Sequence, residues 1–160
     1  MATGLGLALA VTAAGCPSKP DPKVISTALT IKAVKAVKRD DLTAALKLLT
    51  EAIYLNRNNN VARLARANIL LLHREYEKAL ADYEQVLKVH TRSVPAHYGR
   101  GVCHYSLRDY RLARDDFNRV IELDPEYAEA YLGRAKTYQR LGMKDLAERD
   151  MRLYRRLRTD

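Results

Sequence analysis

The sequence predicts an all-α protein of about four helix pairs stacked in a row, and three observations carry that prediction. Alanine, leucine and arginine dominate, while Gly (7), Pro (5) and aromatic residues (7%) are sparse. Such a composition favours helix over sheet and is too poor in proline and glycine for a disordered or fibrous chain. Second, sliding the chain against itself by 34 residues aligns blocks 26–59, 60–93, 94–127 and 128–160 without insertion. Third, side-chain size is constrained by column. The eighth column holds Ala33, Ala67, Gly101 and Ala135; the twentieth Ala45, Ala79, Ala113 and Ala147; the twenty-fourth Leu49, Tyr83, Phe117 and Met151. Two helices joined by a short turn approach closely only where small side chains meet, and large ones fill the space on either side.

In chain order, block 26–59 breaks at Arg39-Asp40-Asp41, a turn between two helices, and the run from Asn56 to Asn60 stops the second. Block 60–93 follows the same columns. Block 94–127 turns at Arg108-Asp109 and closes at Asp124-Pro125, since proline cannot continue a helix. Block 128–160 turns at Leu141-Gly142. One such pair cannot bury its apolar face alone, but three or more stacked pairs share a continuous core.

The stretch VPAHYGRGVCHYSLRDYRLARDDFNRVIELDPEY resembles the tetratricopeptide repeat family, with Gly101, Ala113, Phe117 and Pro125 in that family's columns. The resemblance extends over residues 26–160. It departs from the family in lacking tryptophan in the fourth column and in having Asp-Pro only at the end of the third block. It implies an α-α superhelix, or solenoid, whose first helices line a concave groove, and a protein-interaction scaffold that takes a peptide or helix from another protein there. The family's geometry points Thr30, Val34 and Val37 into the groove, then Leu64, Asn68 and Leu71, Tyr98, Val102 and Tyr105, and Leu132, Lys136 and Gln139. Either these receive a partner segment with apolar anchors and an acidic end, or the apolar ones pack against each other. The lysine–asparagine clamp with which some relatives grip a chaperone's terminal carboxylate is missing: Thr30 and Val34 stand at its first columns.

Arg66, Arg100 and Arg134 share one column, and Asp82, Asp116 and Asp150 follow each by 16 residues; the first block has Lys32 and Leu48 instead. A basic ladder for binding is one reading. Because arginine and aspartate come and go together, a structural ion pair across each helix seam is the simpler one. His97 and His104 occupy columns filled by Tyr131 and Tyr138, so they read as replacements for packing aromatics; no metal is implied, and Cys103 reads as a small apolar filler. Glycine-rich phosphate loops, Ser-His-Asp order and zinc-protease motifs do not occur, so the chain does not read as an enzyme and no cofactor is implied.

The net charge of +9 favours anionic partners. Arg152, Arg155, Arg156 and Arg158 crowd the last helix, as a polar cap on the final repeat or as a contact for an anionic headgroup or acidic protein. Nucleic acid is not expected, because no aromatic interleaving accompanies the charge. Self-association through the last repeat stays open.

Ahead of the repeats, the apolar run 4–14 is too short to cross a bilayer but suits the core of a signal peptide. The segment TAAGC resembles the lipobox of bacterial lipoproteins, in which cleavage exposes a cysteine that is then diacylated. It departs from that pattern in Ala13 and in the lack of a basic residue in Met1-Ala2-Thr3. On this reading residues 1–15 are a signal peptide, Cys16 is the lipidation site and 16–25 a proline-rich tether reaching about 28 Å. The protein would then face the periplasm from a bacterial envelope membrane. Pro17 after the cysteine would favour the outer membrane in some bacteria. The competing readings are a soluble cytosolic adaptor and a basic module for anionic surfaces.

Overall fold

A single residue in left-handed backbone geometry folds each block back on itself. Asp40 (φ 61°), Arg74 (61°), Arg108 (69°) and Gly142 (77°) stand 34 residues apart, in one column. Around each, the next amide donates back across the helix end: Asp41 to the Ala36 carbonyl at 3.0 Å, Glu75 to Leu70 at 2.9 Å, Asp109 to His104 at 2.8 Å, Met143 to Tyr138 at 2.9 Å. This closure satisfies helix carbonyls that would otherwise lack partners and reverses the chain in three residues.

The computed structural model describes residues 19–159, all helix and turn, with no strand among them. The eight helices are α1 (Pro22–Lys38), α2 (Leu42–Leu55), α3 (Asn60–Leu72), α4 (Tyr76–Val89), α5 (Val94–Ser106), α6 (Tyr110–Leu123), α7 (Ala128–Arg140) and α8 (Lys144–Leu157). They form the predicted superhelix of helix pairs. The segment 1–15 and Cys16 lie outside the described residues.

Helices α3, α5 and α7 begin where blocks 60–93, 94–127 and 128–160 begin, but α1 starts at Pro22, inside the stretch read as tether. The cause is local. Proline at the first helical position is preset for the helix, and the Asp21 carboxylate accepts from the Lys23 amide at 2.7 Å. Asp41 and Asn59 cap α2 and α3 in the same way, at 2.9 and 3.0 Å.

The core follows the size columns. Ala33, Ala45, Ala67, Ala79, Ala113 and Ala135 are fully buried, and around them lie Leu49, Tyr83 and Phe117. The large residue of one repeat enters a gap on the next. A Cβ on Gly99 would overlap the Tyr83 ring, and one on Gly133 would come within 2.7 Å of Phe117 Cζ. Met151, at the same column of the last repeat, is only half-buried.

Candidate groove and ion-pair ladder

Each arginine of the ladder reaches from the first helix of its repeat to the second. Arg66 donates to both carboxylate oxygens of Asp82 at 2.7 and 2.9 Å, Arg100 to those of Asp116 at 2.9 and 2.7 Å, and Arg134 to those of Asp150 at 2.6 and 3.0 Å. The aspartates are buried and the guanidinium groups half-buried, a setting in which a two-pronged pair fixes geometry as well as energy. A third contact had no sequence reading. Arg134 also donates to Asn118 Oδ1 at 2.8 Å and Arg66 to Thr50 Oγ1 at 3.4 Å, both on the last helix of the preceding repeat. The Asp116 hydrogen bond raises the Arg100 guanidinium's pKa, and Glu84, which holds the same column as Thr50 and Asn118, adds a smaller push in the same direction. The signal was available: Thr50, Glu84 and Asn118 are spaced by 34 and all are polar.

His97 does what Tyr131 does one repeat later. Its Nε2 lies 3.0 Å from the Thr91 carbonyl, as the Tyr131 hydroxyl lies 3.0 Å from that of Pro125. Its Nδ1 also meets Asp116 at 3.2 Å. Burial raises the Asp116 pKa, but hydrogen bonds from His97 and Arg100 outweigh it and hold the carboxyl below its usual range. His104 is packed nearby, and its Nδ1 has no hydrogen-bond partner among the described residues. Burial pushes the Cys103 thiol up to about 12, which keeps it protonated.

On the opposite side of the first helices, Tyr98, Val102 and Tyr105 of α5 meet Leu132, Gly133 and Lys136 of α7 around a cleft of about 180 Å³, with Phe117 as its floor and Glu129 at its edge. Five of the residues assigned to the groove, Tyr98, Val102, Tyr105, Leu132 and Lys136, therefore converge on one cavity. Tyr98 is held in a tilted aromatic cluster with Phe117 (5.9 Å between ring centroids) and Tyr127 (5.1 Å). Burial, with Tyr127, Glu129 and Tyr154 nearby, raises the Tyr98 phenol pKa. Tyr105 packs edge-on against Tyr110 at 5.6 Å, and the Arg140 guanidinium lies 5.7 Å from the Tyr110 ring.

The other assigned residues are placed elsewhere. Asn68 faces outward but accepts from the Tyr83 hydroxyl at 2.7 Å. Leu71 is half-buried on the core of the second repeat. Leu64 lines a separate cleft of about 550 Å³ with Val61, Val86, Val89 and His90, and Gln139 is exposed. Val34 and Val37 are exposed on α1, but Thr30, expected in the groove, is buried. It belongs to a polar knot: Thr30 donates to the Ser26 carbonyl at 2.8 Å, and Asn59 donates to the hydroxyls of Ser26 (2.8 Å) and Thr30 (3.0 Å). Sequence reasoning missed Phe117 and Glu129. Phe117 was read as core alone, and the clue to its second face is Gly133, whose missing side chain lets the ring reach the cleft.

Arg152, Arg155 and Arg156 of α8 and Arg158 just past its end are exposed. Arg158 lies 3.7 Å from Glu129 and Arg152 lies 3.9 Å from Glu148.

Two tetratricopeptide repeat family models match the chain, over residues 32–88 and 94–127. Among curated proteins, human sperm-associated antigen 1 is 29% identical over 82% of this chain and human tetratricopeptide repeat protein 12 is 24% identical over 80%. The chain spans only 15% and 18% of their lengths. A solved structure of MamA from Desulfovibrio magneticus RS-1 superposes with a TM-score of 0.79 at 17% identity, covering 84% of this chain and 76% of that one. The Arabidopsis OM64 domain superposes at 0.71 with 24% identity, covering 74% of this chain and 98% of that one. These likenesses concern the fold.

Proposed function

This chain is a tetratricopeptide repeat protein, a class of protein-interaction scaffolds, and we propose that its partner is held in the concave groove by the cleft between the third and fourth repeats. The carrying observation is the convergence of Tyr98, Val102, Tyr105, Phe117 and Leu132 on one solvent-open cavity flanked by Lys136 and Glu129. A cavity of that size takes one apolar side chain, with the charged pair at its rim to orient the backbone of a peptide or helix. Aromatic anchors of this kind concentrate binding energy in few contacts.

The same protein acts, on our reading, as a lipid-anchored component of a bacterial envelope, joined to the membrane through diacylated Cys16. Support comes from the run of small residues Ala13-Ala14-Gly15 before Cys16 and the prolines at 17, 20 and 22 after it. The intact mass of the protein from host membranes, beside a Cys16→Ser variant, tests this. Loss of residues 1–15 with a gain of acyl mass, absent in the variant, is the expected result. An unmodified full-length soluble product would leave a cytosolic adaptor.

For the groove, a photo-crosslinking residue at Val102 should capture a partner that the same residue at Tyr54, on the second helix of the first repeat, does not. Capture at both positions, or capture at Val102 that survives a Leu132→Glu change in a folded protein, would refute the cleft.

A further inference from the structure

In three of the four repeats, one face of the first helix is packed against the repeat before it. That face carries Ala62, Ala65 and Ile69 in α3, Ala96, Gly99 and Cys103 in α5, and Ala130, Gly133 and Thr137 in α7, all buried or half-buried. In α1 the corresponding residues are Ala28, Ile31 and Lys35, and all three are exposed. Val24 (63% exposed), Ile31 (55%) and Val34 (45%) make this face apolar. Exposed Lys23, Lys32, Lys35 and Lys38 are interleaved with them, and α1 contains no acidic residue.

We infer that this face of α1, uncovered by any other described residue, is a docking surface for an anionic phospholipid membrane. The sequence of the face argues against a second copy stacked head to tail. The column that must be small to admit a large residue from a preceding repeat, Ala65, Gly99 or Gly133, is filled here by Ile31. Lys35 stands where later repeats bury Ile69, Cys103 and Thr137. The last helix of a second copy would bring Arg152, Arg155, Arg156 and Arg158 against the lysines of α1, positive against positive. An anionic bilayer meets both requirements. Its headgroups pair with the lysines, while Val24, Ile31 and Val34 enter the boundary between headgroup and acyl chain. Only Pro17–Asp21 separate Cys16 from α1, and five residues reach about 17 Å at most. An acylated Cys16 therefore holds α1 at the bilayer surface. That proximity rests on the lipid-anchor reading above; the apolar and basic character of the face does not.

The test uses the full chain with Cys16→Ser, which cannot be acylated there, and sedimentation with vesicles of phosphatidylcholine and phosphatidylglycerol in equal parts or phosphatidylcholine alone. Binding is expected to the anionic vesicles and to fall with salt. Since one lysine near such a surface is worth about a fivefold change in partition, Lys32→Glu/Lys35→Glu should lower binding at least about 20-fold. Ile31→Glu should also lower it, with helical content unchanged, whereas Arg155→Glu/Arg156→Glu in α8 should retain most of it. Equal binding by the α1 variants overturns the inference, because they keep residues 4–14 and every other basic patch. A full chain that ignores both vesicles also overturns it, and leaves an acidic protein helix or residues 1–15 as the cover of α1. The intact-mass measurement separates the two claims. An acylated protein indifferent to α1 changes sinks this inference alone, and an unacylated one with α1-dependent binding sinks the anchor alone.

Discussion

The first and third repeats share a backbone and differ in how their helices are fastened. In the third, Arg100 and His97 converge on buried Asp116, and Gly99 opens a slot for Tyr83. In the first, Lys32 and Leu48 replace the ion pair, and the polar fastening moves to the other side of α1. There Ser26 donates to the Ala52 carbonyl at 2.7 Å, and Asn59 ties Ser26 and Thr30 to the start of the second repeat. The lesson is that the alanine columns set the fold, while the polar contacts that hold two helices in register are interchangeable, and among the described buried side-chain atoms only His104 Nδ1 is left without a partner.

That comparison can be broken most sharply at the ladder. Arg134→Ala leaves the Asp150 carboxylate buried and unpaired and should cost about 3–5 kcal/mol in chemical denaturation. Lys32→Ala, at the same column of the first repeat, should cost under about 0.5 kcal/mol. Arg66→Ala should fall between them, because Arg63 remains 3.7 Å from Asp82. Gly99→Val comes next: forced against the Tyr83 ring, it should lower stability by about 1–3 kcal/mol, whereas Ala65→Val, in the same column but only half-buried against the first repeat's core, should cost less. Ser26→Ala probes the first repeat's own fastening. It removes the donor to Ala52 and one acceptor for Asn59, and the expected loss is about 1–2 kcal/mol. Turn geometry gives a gain: Arg74→Gly relieves a left-handed arginine and should stabilise by up to about 1 kcal/mol, while Gly142→Ala should do the reverse.

The smallest effect is on the acid limb of the stability profile. The Asp116 pKa is depressed in the folded chain, so its contribution is fully present above the unfolded carboxyl value. It is lost as pH falls through the folded value, below the ordinary 3.8. Denaturation midpoints in that window should therefore fall less steeply in Asp116→Asn than in the parent. An identical slope would show that Asp116 titrates as it does in the unfolded chain.

Much of this was legible in the sequence because it repeats. A period of 34 with alanine in fixed columns leaves little choice of packing, and the matched absence of arginine and aspartate in the first block pointed to the pairs. What was not legible depended on context. Arg74 adopts the left-handed turn although His73-Arg74 carries no turn signal, because the helices on both sides are already placed by their cores. Thr30 was assigned to the groove by column alone, but Asn59, 29 residues later, supplies the partner that draws it inside. Phe117 serves both core and cleft, which only the adjacent Gly133 reveals. The start of α1 moved to Pro22 because capping by Asp21 is a local matter that the repeat period does not register.

The guanidinium groups that reach back to the preceding repeat also shape how the chain opens. At the last junction the contact to Asn118 is short, 2.8 Å; at the first, the contact to Thr50 stretches to 3.4 Å on an exposed surface. Linear arrays come apart at their weakest nearest-neighbour interface. Amide-exchange protection should therefore decline toward the N-terminal pair, so that α1 and α2 fray as a unit while the two pairs nearest the C-terminus melt together.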